Sequence, residues 1–243
     1  MDKVDQWHHR RWARFTASED YKLLEPGTKG GMFGTGAMTY IEQKAFEATT
    51  RMQERPELSE VKSLLHGKAH EYPAYVEYKI RTGISDLEYF GDENPIFYPY
   101  QPLAAEAGGS PDSGCITDDG KITHGAEFKC PKNGINHFRR LKWKNQWCVK
   151  ENYIQCYTQC QKLMMCTGAK QWDFVSFDDR QIVRDKRIKI IPIYPDKNFQ
   201  NNLEVRLRCA IKEKYRIISE NFGIIVTDRR DFMQKFQLIG QSF

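Results

Sequence analysis

An Asp-Gly step between two strand-like runs constrains this chain more than any other feature of its sequence. Asp119–Gly120 separates the runs Ser113–Thr117 and Ile122–Cys130. This dipeptide favours a two-residue hairpin turn, in which both turn residues take positive φ. Pairing across such a turn places Asp112 directly opposite Glu127, with Cβ atoms about 5 Å apart. A bulge within residues 123–125 would shift that register by one.

Strand alternation divides the second run into a charged face and an apolar face. Lys129 shares the face of Glu127, while Ala126, Phe128 and Cys130 point to the other side and are expected to join a core. Opposed carboxylates destabilise a hairpin unless a cation lies between them, so we expect Mg²⁺ here, with Mn²⁺ as a substitute. The neighbouring ammonium can stabilise charge on an attacking oxygen or a phosphate. Ordinary solvated charges are the alternative, which fits less well because three charged groups share one face.

The rest of the chain predicts a mixed α/β domain, with helices and strands interleaved. Pro73 is expected to introduce a kink or a boundary into its helix. The expected helices are Met38–Arg51, Leu58–Tyr78, Tyr153–Met165 and Asn202–Glu220, with a further helix start at Thr16–Glu19. The other expected strands are Ile96–Tyr100, Asp173–Asp178 and Ile188–Tyr194.

Composition narrows the class of protein. The 243 residues carry a net charge of +5, and the longest apolar stretches fall far short of the roughly 20 residues that span a bilayer. The polar, basic N-terminus predicts no secretory signal, and seven cysteines, an odd number, favour free thiols in a reducing compartment. Cys156, Cys160 and Cys166 favour core packing over metal ligation. We expect one domain over residues 1–243, with a helical and strand extension from about 186.

A basic, aromatic segment follows the hairpin directly. Residues 128–150 contain seven Lys and Arg and no acidic residue, a composition suited to nucleic-acid phosphates, while exposed aromatics can stack on frayed bases. A solvated amphipathic helix is the alternative. The candidate DNA contacts are Arg139, Arg140, Lys142 and Lys144, with the interleaved aromatics Phe138, Trp143 and Trp147.

Several blocks of the sequence, in order, resemble the phage lambda exonuclease and YqaJ-type viral recombinase family. The hairpin ends form the Asp…Glu-x-Lys arrangement of the PD-(D/E)XK nuclease superfamily, which implies a restriction-endonuclease-like core, with a mixed central sheet flanked by helices. The blocks are Trp7–Glu19, Gly67–Glu71, Ser110–Asp112, Glu127–Pro131, Tyr157–Gln161 and Trp172–Asp178. Here the hairpin is longer than the family's usual one, and Pro73 follows the second block closely.

The resemblance implies roles at the site. Asp112, Glu127 and the main chain of Phe128 would hold catalytic Mg²⁺, and Lys129 would position or activate the attacking water. Glu71 would contribute to a metal or its water, and Gln159 would buttress Lys129; without the family both would be interpreted as solvated helix side chains. Arg11 and Ser18 would bind the 5′-terminal phosphate of DNA.

The resemblance also implies an activity. The chain would digest one strand of linear duplex DNA from a 5′ end, leaving a 3′ single strand for an annealing protein in recombination or repair. A ring-shaped homotrimer and the cytoplasm of a bacterial host, if the chain is phage-encoded, are further expectations. A structure-specific endonuclease or nickase on the same core, or a DNA-binding module without turnover, are the alternatives.

Overall fold

The computed structural model describes residues 2–50 and 62–240, so the expected helix residues 51 and 58–61 lie outside the described part. The helices are α1 Lys3–Arg11, α2 Thr35–Thr49, α3 Lys62–Thr82, α4 Gly134–Arg140, α5 Gln146–Asn152, α6 Ile154–Thr167, α7 Lys197–Phe222 and α8 Arg229–Gly240. The strands are β1 Phe15–Thr16, β2 Leu87–Tyr89, β3 Tyr98–Pro99, β4 Ala107–Gly109, β5 Ser113–Ile116, β6 Ile122–Lys129, β7 Gln171–Phe177 and β8 Ile188–Ile193. The predicted mixed α/β class is confirmed.

The central sheet has the strand order β2-β5-β6-β7-β8. The strands β6 and β7 are parallel, while the other neighbours are antiparallel. Since β7 lies inside the sheet, both of its faces are buried: Trp172 and Phe174 pack on one side, and Val175 and Phe177 on the other. A second, small sheet has the order β1-β4-β3.

Helices cover both faces of the central sheet. Tyr78 of α3 packs against Phe128 and Val175 on one face, and α6 brings Leu163 to Trp172 on the other. A separate apolar cluster joins α2 to α7 beside the small sheet. None of the described helices combines the length and the apolar character that crossing a bilayer requires. The ends of β6 and β7 therefore lie between two helical layers.

One local expectation was wrong, and of the kink or boundary expected at Pro73 the boundary is contradicted. Thr16 begins no helix: it lies in β1, whose backbone pairs with β4, and its amide donates to the hydroxyl of Tyr40. A short 3₁₀ helix, Asp20–Leu24, follows instead. No boundary falls at Pro73, because α3 continues through it to Thr82; packing of the following turns against the sheet outweighs the one hydrogen bond that proline removes.

The hairpin reaches its expected register by an unexpected route. Three residues, Asp118–Gly120, lie between the paired Thr117 and Lys121, and within the described residues only Gly120 of this loop has positive φ, at 76°. This loop alone would shift the pairing by one residue, but a bulge between Cys115 and Ile116, which leaves Thr123 unpaired, shifts it back. From Cys115 to the site, the register equals that of the predicted turn.

Candidate active site

The two hairpin carboxylates meet where β5 begins and β6 ends. Asp112 precedes β5, and its Oδ2 accepts a hydrogen bond from the amide of Phe128 at 2.8 Å. Glu127 is only 1% exposed. Its Oε1 accepts from Nζ of Lys129 at 2.6 Å, whereas its Oε2 has no hydrogen-bond partner within the described part of the chain. A buried carboxylate oxygen without a partner is costly, and beside the second carboxyl group of Asp112 it is suited to a cation.

Lys129 is held by two acceptors on one side of the site. Besides Glu127, its Nζ donates to Oε1 of Gln159 on α6, at 3.1 Å. The side chain keeps 24% of its exposure, so the ammonium is fixed yet open to the cleft. The contact that the family resemblance implied between Gln159 and Lys129 is therefore present, although Gln159 is buried rather than solvated.

Glu71 closes the site from α3. Its Oε1 accepts a hydrogen bond from the hydroxyl of Tyr89 on β2, at 3.0 Å. Together with Phe128 and Lys129, Glu71 lines a cleft of about 520 Å³. Arg140 and Tyr153 line the same cleft. The structure thus brings Glu71 to the same opening as the hairpin residues, as the resemblance implied.

The carboxyl groups of the site hold protons more tightly than exposed carboxyls do. Burial, and then the charge of Asp112, raises the pKa of Glu71 to about 8 and that of Glu127 well above its ordinary value. Burial also raises the pKa of Asp112, against the opposing effects of Lys129 and the Phe128 amide. For Lys129, burial would lower the pKa, but Glu127 and other neighbours raise it overall. The site is therefore electron-rich, and a bound cation would displace protons from it.

These residues fit a hard divalent metal. Two facing carboxyl groups are enough for Mg²⁺, an ion that keeps several waters and takes one or two carboxylates, although the described residues contain no group of three acidic, histidine or cysteine side chains placed to hold a metal. Asp112, Glu127 and the carbonyl of Phe128 would supply its protein ligands, and the unpartnered Glu127 oxygen provides the strongest support.

Arg11 lies on α1, close to the segment that leads into the site. Its guanidinium stacks over the ring of Trp7, 4.5 Å from the centroid, and its Nη1 donates to Oγ of Ser110 at 3.0 Å. The indole N–H of Trp7 donates to the same oxygen at 2.7 Å. Burial lowers the pKa of Arg11, and no carboxylate of the described residues forms an ion pair with it. Ser18 is exposed at the surface.

The predicted basic segment divides into exposed and buried parts. Arg139, Lys142 and Lys144 are exposed, as phosphate contacts require. Arg140 and Trp143 are buried instead, because Trp143 packs on Phe174 of β7. The aromatics left to stack on bases are Phe138, 67% exposed, and Trp147.

Three residues near the site escaped the sequence analysis. Ser110 and Trp7 lay inside the blocks that resemble the family, but nothing in their spacing placed them beside Arg11. Tyr89 lies on β2, a strand of three residues that is too short to show a detectable sequence pattern. Cys156 and Cys160 are buried in the core between α6 and the sheet, as expected for packing residues.

The fold is shared with solved exonucleases. The alkaline exonuclease LHK-Exo from Laribacter hongkongensis has a TM-score of 0.70 at 24% identity, over 89% of this chain and 95% of that chain. Its complex with dAMP gives 0.67 at the same identity and coverage. A phage-related exonuclease from Haemophilus somnus gives 0.64 at 15% identity, over 85% of this chain and 96% of that chain. These likenesses confirm the restriction-endonuclease-like core; among curated proteins, no match to the sequence was found.

The sequence itself also matches a family model. Residues 6–170 match the YqaJ-like viral recombinase domain. This range contains the hairpin, α3, α6 and most of α1, and with them Arg11, Glu71, Asp112, Glu127, Lys129 and Gln159. The matched region covers more than half of the 243 residues. The chain therefore belongs to the YqaJ-like viral recombinase family.

Proposed function

We propose that this protein is a Mg²⁺-dependent exonuclease, which digests one strand of linear duplex DNA in the 5′-to-3′ direction. The observation that carries the proposal is the half-buried Asp112 opposite the buried Glu127. One oxygen of Glu127 accepts from Lys129, which lines an open cleft, and the other has no partner among the described residues. A DNA-binding module without turnover has no need of opposed, buried carboxylates, which destabilise the fold unless a cation binds.

The residues of the chain divide the chemistry among them. Bound Mg²⁺ would supply Lewis acidity to the scissile phosphate and lower the pKa of a water. Lys129 places a fixed positive charge where negative charge develops during attack, and Gln159 holds that ammonium in position. Glu71, with its raised pKa, supplies a third carboxyl group that can hold a proton of the attacking water.

The preference for a 5′ end rests on Arg11. A guanidinium with no carboxylate partner in the described residues is suited to a terminal phosphate, which it can grip with two parallel hydrogen bonds. Ser110 accepts from Trp7 and Arg11, so its hydroxyl hydrogen remains available to the same phosphate. Ser110 is two residues from Asp112, and Cα atoms so separated lie within about 7 Å. This short distance suits removal of nucleotides next to the end, and Ser18 would add a further hydroxyl.

The wider setting follows from the same activity. The 3′ single strand that remains would pass to a single-strand annealing protein in recombination or repair, in the cytoplasm of a bacterial host. A homotrimeric ring around the duplex would keep the exposed cations Arg139, Lys142 and Lys144 near the DNA backbone.

Digestion of end-labelled DNA tests the proposal directly. Linear duplex labelled at either the 5′ or the 3′ end is incubated with Mg²⁺, with EDTA, and beside a closed circle. The expected result is early release of 5′ label as mononucleotide, persistence of the 3′-labelled strand, and no reaction in EDTA or on the circle. Early release of 3′ label would reverse the polarity. Rapid cutting of the circle would favour a structure-specific endonuclease, since a circle has no terminal phosphate.

A further inference from the structure

Arg140 differs from the other cations of its segment. It is only 8% exposed, while Arg139 and Lys142 are exposed. Its guanidinium stacks on Tyr153, 4.5 Å from the ring centroid, and its Nη1 donates to Oγ of Ser176 at 3.3 Å. Since Ser176 pairs with Lys129 across β6 and β7, Arg140 lies one strand away from the proposed catalytic lysine.

Among the described residues, this buried charge has no acidic partner. No carboxylate of the described residues forms an ion pair with Arg140, although buried arginines are rarely found without one. Stacking on an aromatic ring offsets part of the desolvation, and one hydroxyl acceptor leaves most of the five N–H donors of a guanidinium without a protein acceptor. Its remaining N–H donors can therefore bind an anion that enters the pocket.

Arg140 also forms the wall between two pockets. On one side is the cleft of about 520 Å³ that contains Glu71 and Lys129. On the other side is a pocket of about 430 Å³, here called the Arg140 pocket. Arg140 and Tyr153 line both this pocket and the cleft. The further lining residues of the Arg140 pocket are Asn136, Arg139, Lys142, Trp143 and Asn152.

We propose that the Arg140 pocket is a nucleotide subsite, in which Arg140 binds a phosphate next to the scissile position. The pocket combines cations for a phosphate with the amides of Asn136 and Asn152, which can hydrogen-bond a base or sugar. The nucleotide is either the excised 5′-mononucleotide or the next unit of the strand. The identity of this ligand rests on the proposed nuclease function; the phosphate chemistry rests on Arg140 alone.

Nucleotide binding without turnover tests the subsite. We suggest calorimetric titration with dAMP and with deoxyadenosine in EDTA, in an Arg11→Ala background that removes the competing terminal-phosphate site. The ratio of the two dissociation constants isolates the phosphate. In this background, deoxyadenosine should bind about tenfold or more weakly than dAMP, because a charge-assisted, forked contact to the phosphate contributes that much affinity. When Arg140→Met is added, the ratio of the two dissociation constants should approach one. Arg140→Lys should restore it only in part, because a point charge lacks the fork.

A substitution elsewhere in the segment provides the matched control. Lys132→Met removes an exposed cation of the same basic segment that does not line the Arg140 pocket, and should leave the ratio within about twofold of its starting value, because solvent screens that charge. The melting temperature of each variant shows whether it has folded. If Arg140→Met fails to fold, Asn136→Phe fills the pocket from an exposed helix position, and should itself abolish dAMP binding.

The outcomes separate the possibilities. An unchanged ratio in folded Arg140→Met, wild-type dAMP affinity in Asn136→Phe, or no dAMP binding in the background variant would each overturn the subsite. A 5′-hydroxyl tetranucleotide identifies the source: loss of its binding in Arg140→Met assigns the site to the strand, and loss of dAMP binding alone to the product. A protein that shows the Arg140-dependent ratio but digests no DNA would refute the exonuclease and leave the subsite standing.

Discussion

Two buried groups of charges in this protein are built in opposite ways. At the ends of β5 and β6, Asp112 and Glu127 face one ammonium, that of Lys129, beside an open cleft. Between the 3₁₀ helix and α6, Asp20 and Lys162 form a closed pair at 3.4 Å, with both side chains fully buried. The first group has an excess of negative charge and access to solvent, and the second has neither.

The difference shows which buried charges indicate chemistry. Asp20 and Lys162 both lack hydrogen bonds within the described residues, as Oε2 of Glu127 does, so an unpartnered polar atom is not in itself a sign of function. Asp20 and Lys162 neutralise each other, whereas at β6 two carboxyl groups face one ammonium, and the extra negative charge must be met by a bound proton or by a cation that displaces it. Charge imbalance at an accessible edge, rather than burial, distinguishes the proposed active site.

Glu127→Gln should have the largest effect, because it removes the charge imbalance while keeping the shape. Loss of a metal ligand removes a stabilisation of several kcal/mol, so the rate of digestion should fall by about 10³-fold or more. DNA affinity measured in Ca²⁺ should change little, since the basic segment is intact. Glu88→Gln, an exposed carboxylate on β2, is the control and should keep the wild-type rate. Mg²⁺-dependent turnover near the wild-type level would discard the metal site.

Lys129→Ala tests the single cation of that group. Turnover should fall by about 10²-fold with little change in duplex affinity, because the fixed ammonium acts on charge that develops during attack. Lys129→Arg should rescue only in part, since a forked guanidinium does not replace a compact ammonium between Glu127 and Gln159. Lys121→Ala, in the exposed hairpin loop, should leave turnover unchanged. A loss confined to duplex binding would reassign Lys129 to the DNA contacts.

Substitutions in the Asp20–Lys162 pair should change the stability of the fold rather than the rate of digestion. Lys162→Met leaves the Asp20 carboxylate buried alone and should lower the free energy of unfolding by about 3 kcal/mol or more, as seen by urea denaturation. The double variant with Asp20→Asn should recover much of that loss, while exposed Lys170→Met should stay within about 0.5 kcal/mol of wild type. Folded Lys162→Met should keep its kcat. A tenfold fall in kcat at unchanged stability would contradict the contrast between the two groups.

The pH dependence of stability sharpens the same contrast. Burial, opposed by Lys162, raises the pKa of Asp20 to about 6, so folding favours the protonated carboxyl. The contribution of this group to stability is full below its unfolded pKa near 4 and is lost as the pH rises through about 6. The unfolding free energy of wild type minus that of Asp20→Asn should therefore fall by on the order of 2–3 kcal/mol between pH 4 and 7. A flat or rising difference would show that the ion pair dominates.

The sequence predicted the parts of the site that depend on local pattern. Strand alternation assigned the faces of Glu127 and Lys129 correctly, because a period of two is fixed by the backbone. The sequence analysis placed Asp112 opposite Glu127 by assuming a two-residue turn, which is incorrect. The bulge at Thr123 restores the same register, and a bulge has no reliable sequence signal.

Long-range packing decided what the sequence did not predict. In the sequence Arg140 resembles its neighbours Arg139 and Lys142. It is buried because Tyr153, just before α6, and Phe174 of β7 pack against its guanidinium. Likewise, the pairing of β1 with β4 took Thr16 from the expected helix. The β1–β4 pairing joins segments about 90 residues apart, and Phe174 lies 34 residues from Arg140, so both contacts are beyond the reach of local periodicity.

The smallest predicted effect concerns Trp7, which acts on the site only through other residues. Its indole N–H fixes Ser110, and its ring supports Arg11. Trp7→Phe keeps an aromatic surface but removes one hydrogen bond, so the preference for 5′-phosphate over 5′-hydroxyl ends should fall by about three- to tenfold, less than the near-complete loss expected for Arg11→Ala. The change should appear in the KM for phosphorylated ends, with kcat on 5′-hydroxyl ends retained. Trp147→Phe, on the exposed aromatic face of α5, should alter overall affinity for both ends equally. An equal loss of activity on 5′-phosphate and 5′-hydroxyl ends in Trp7→Phe would mean that Trp7 stabilises α1 rather than positioning Arg11 and Ser110.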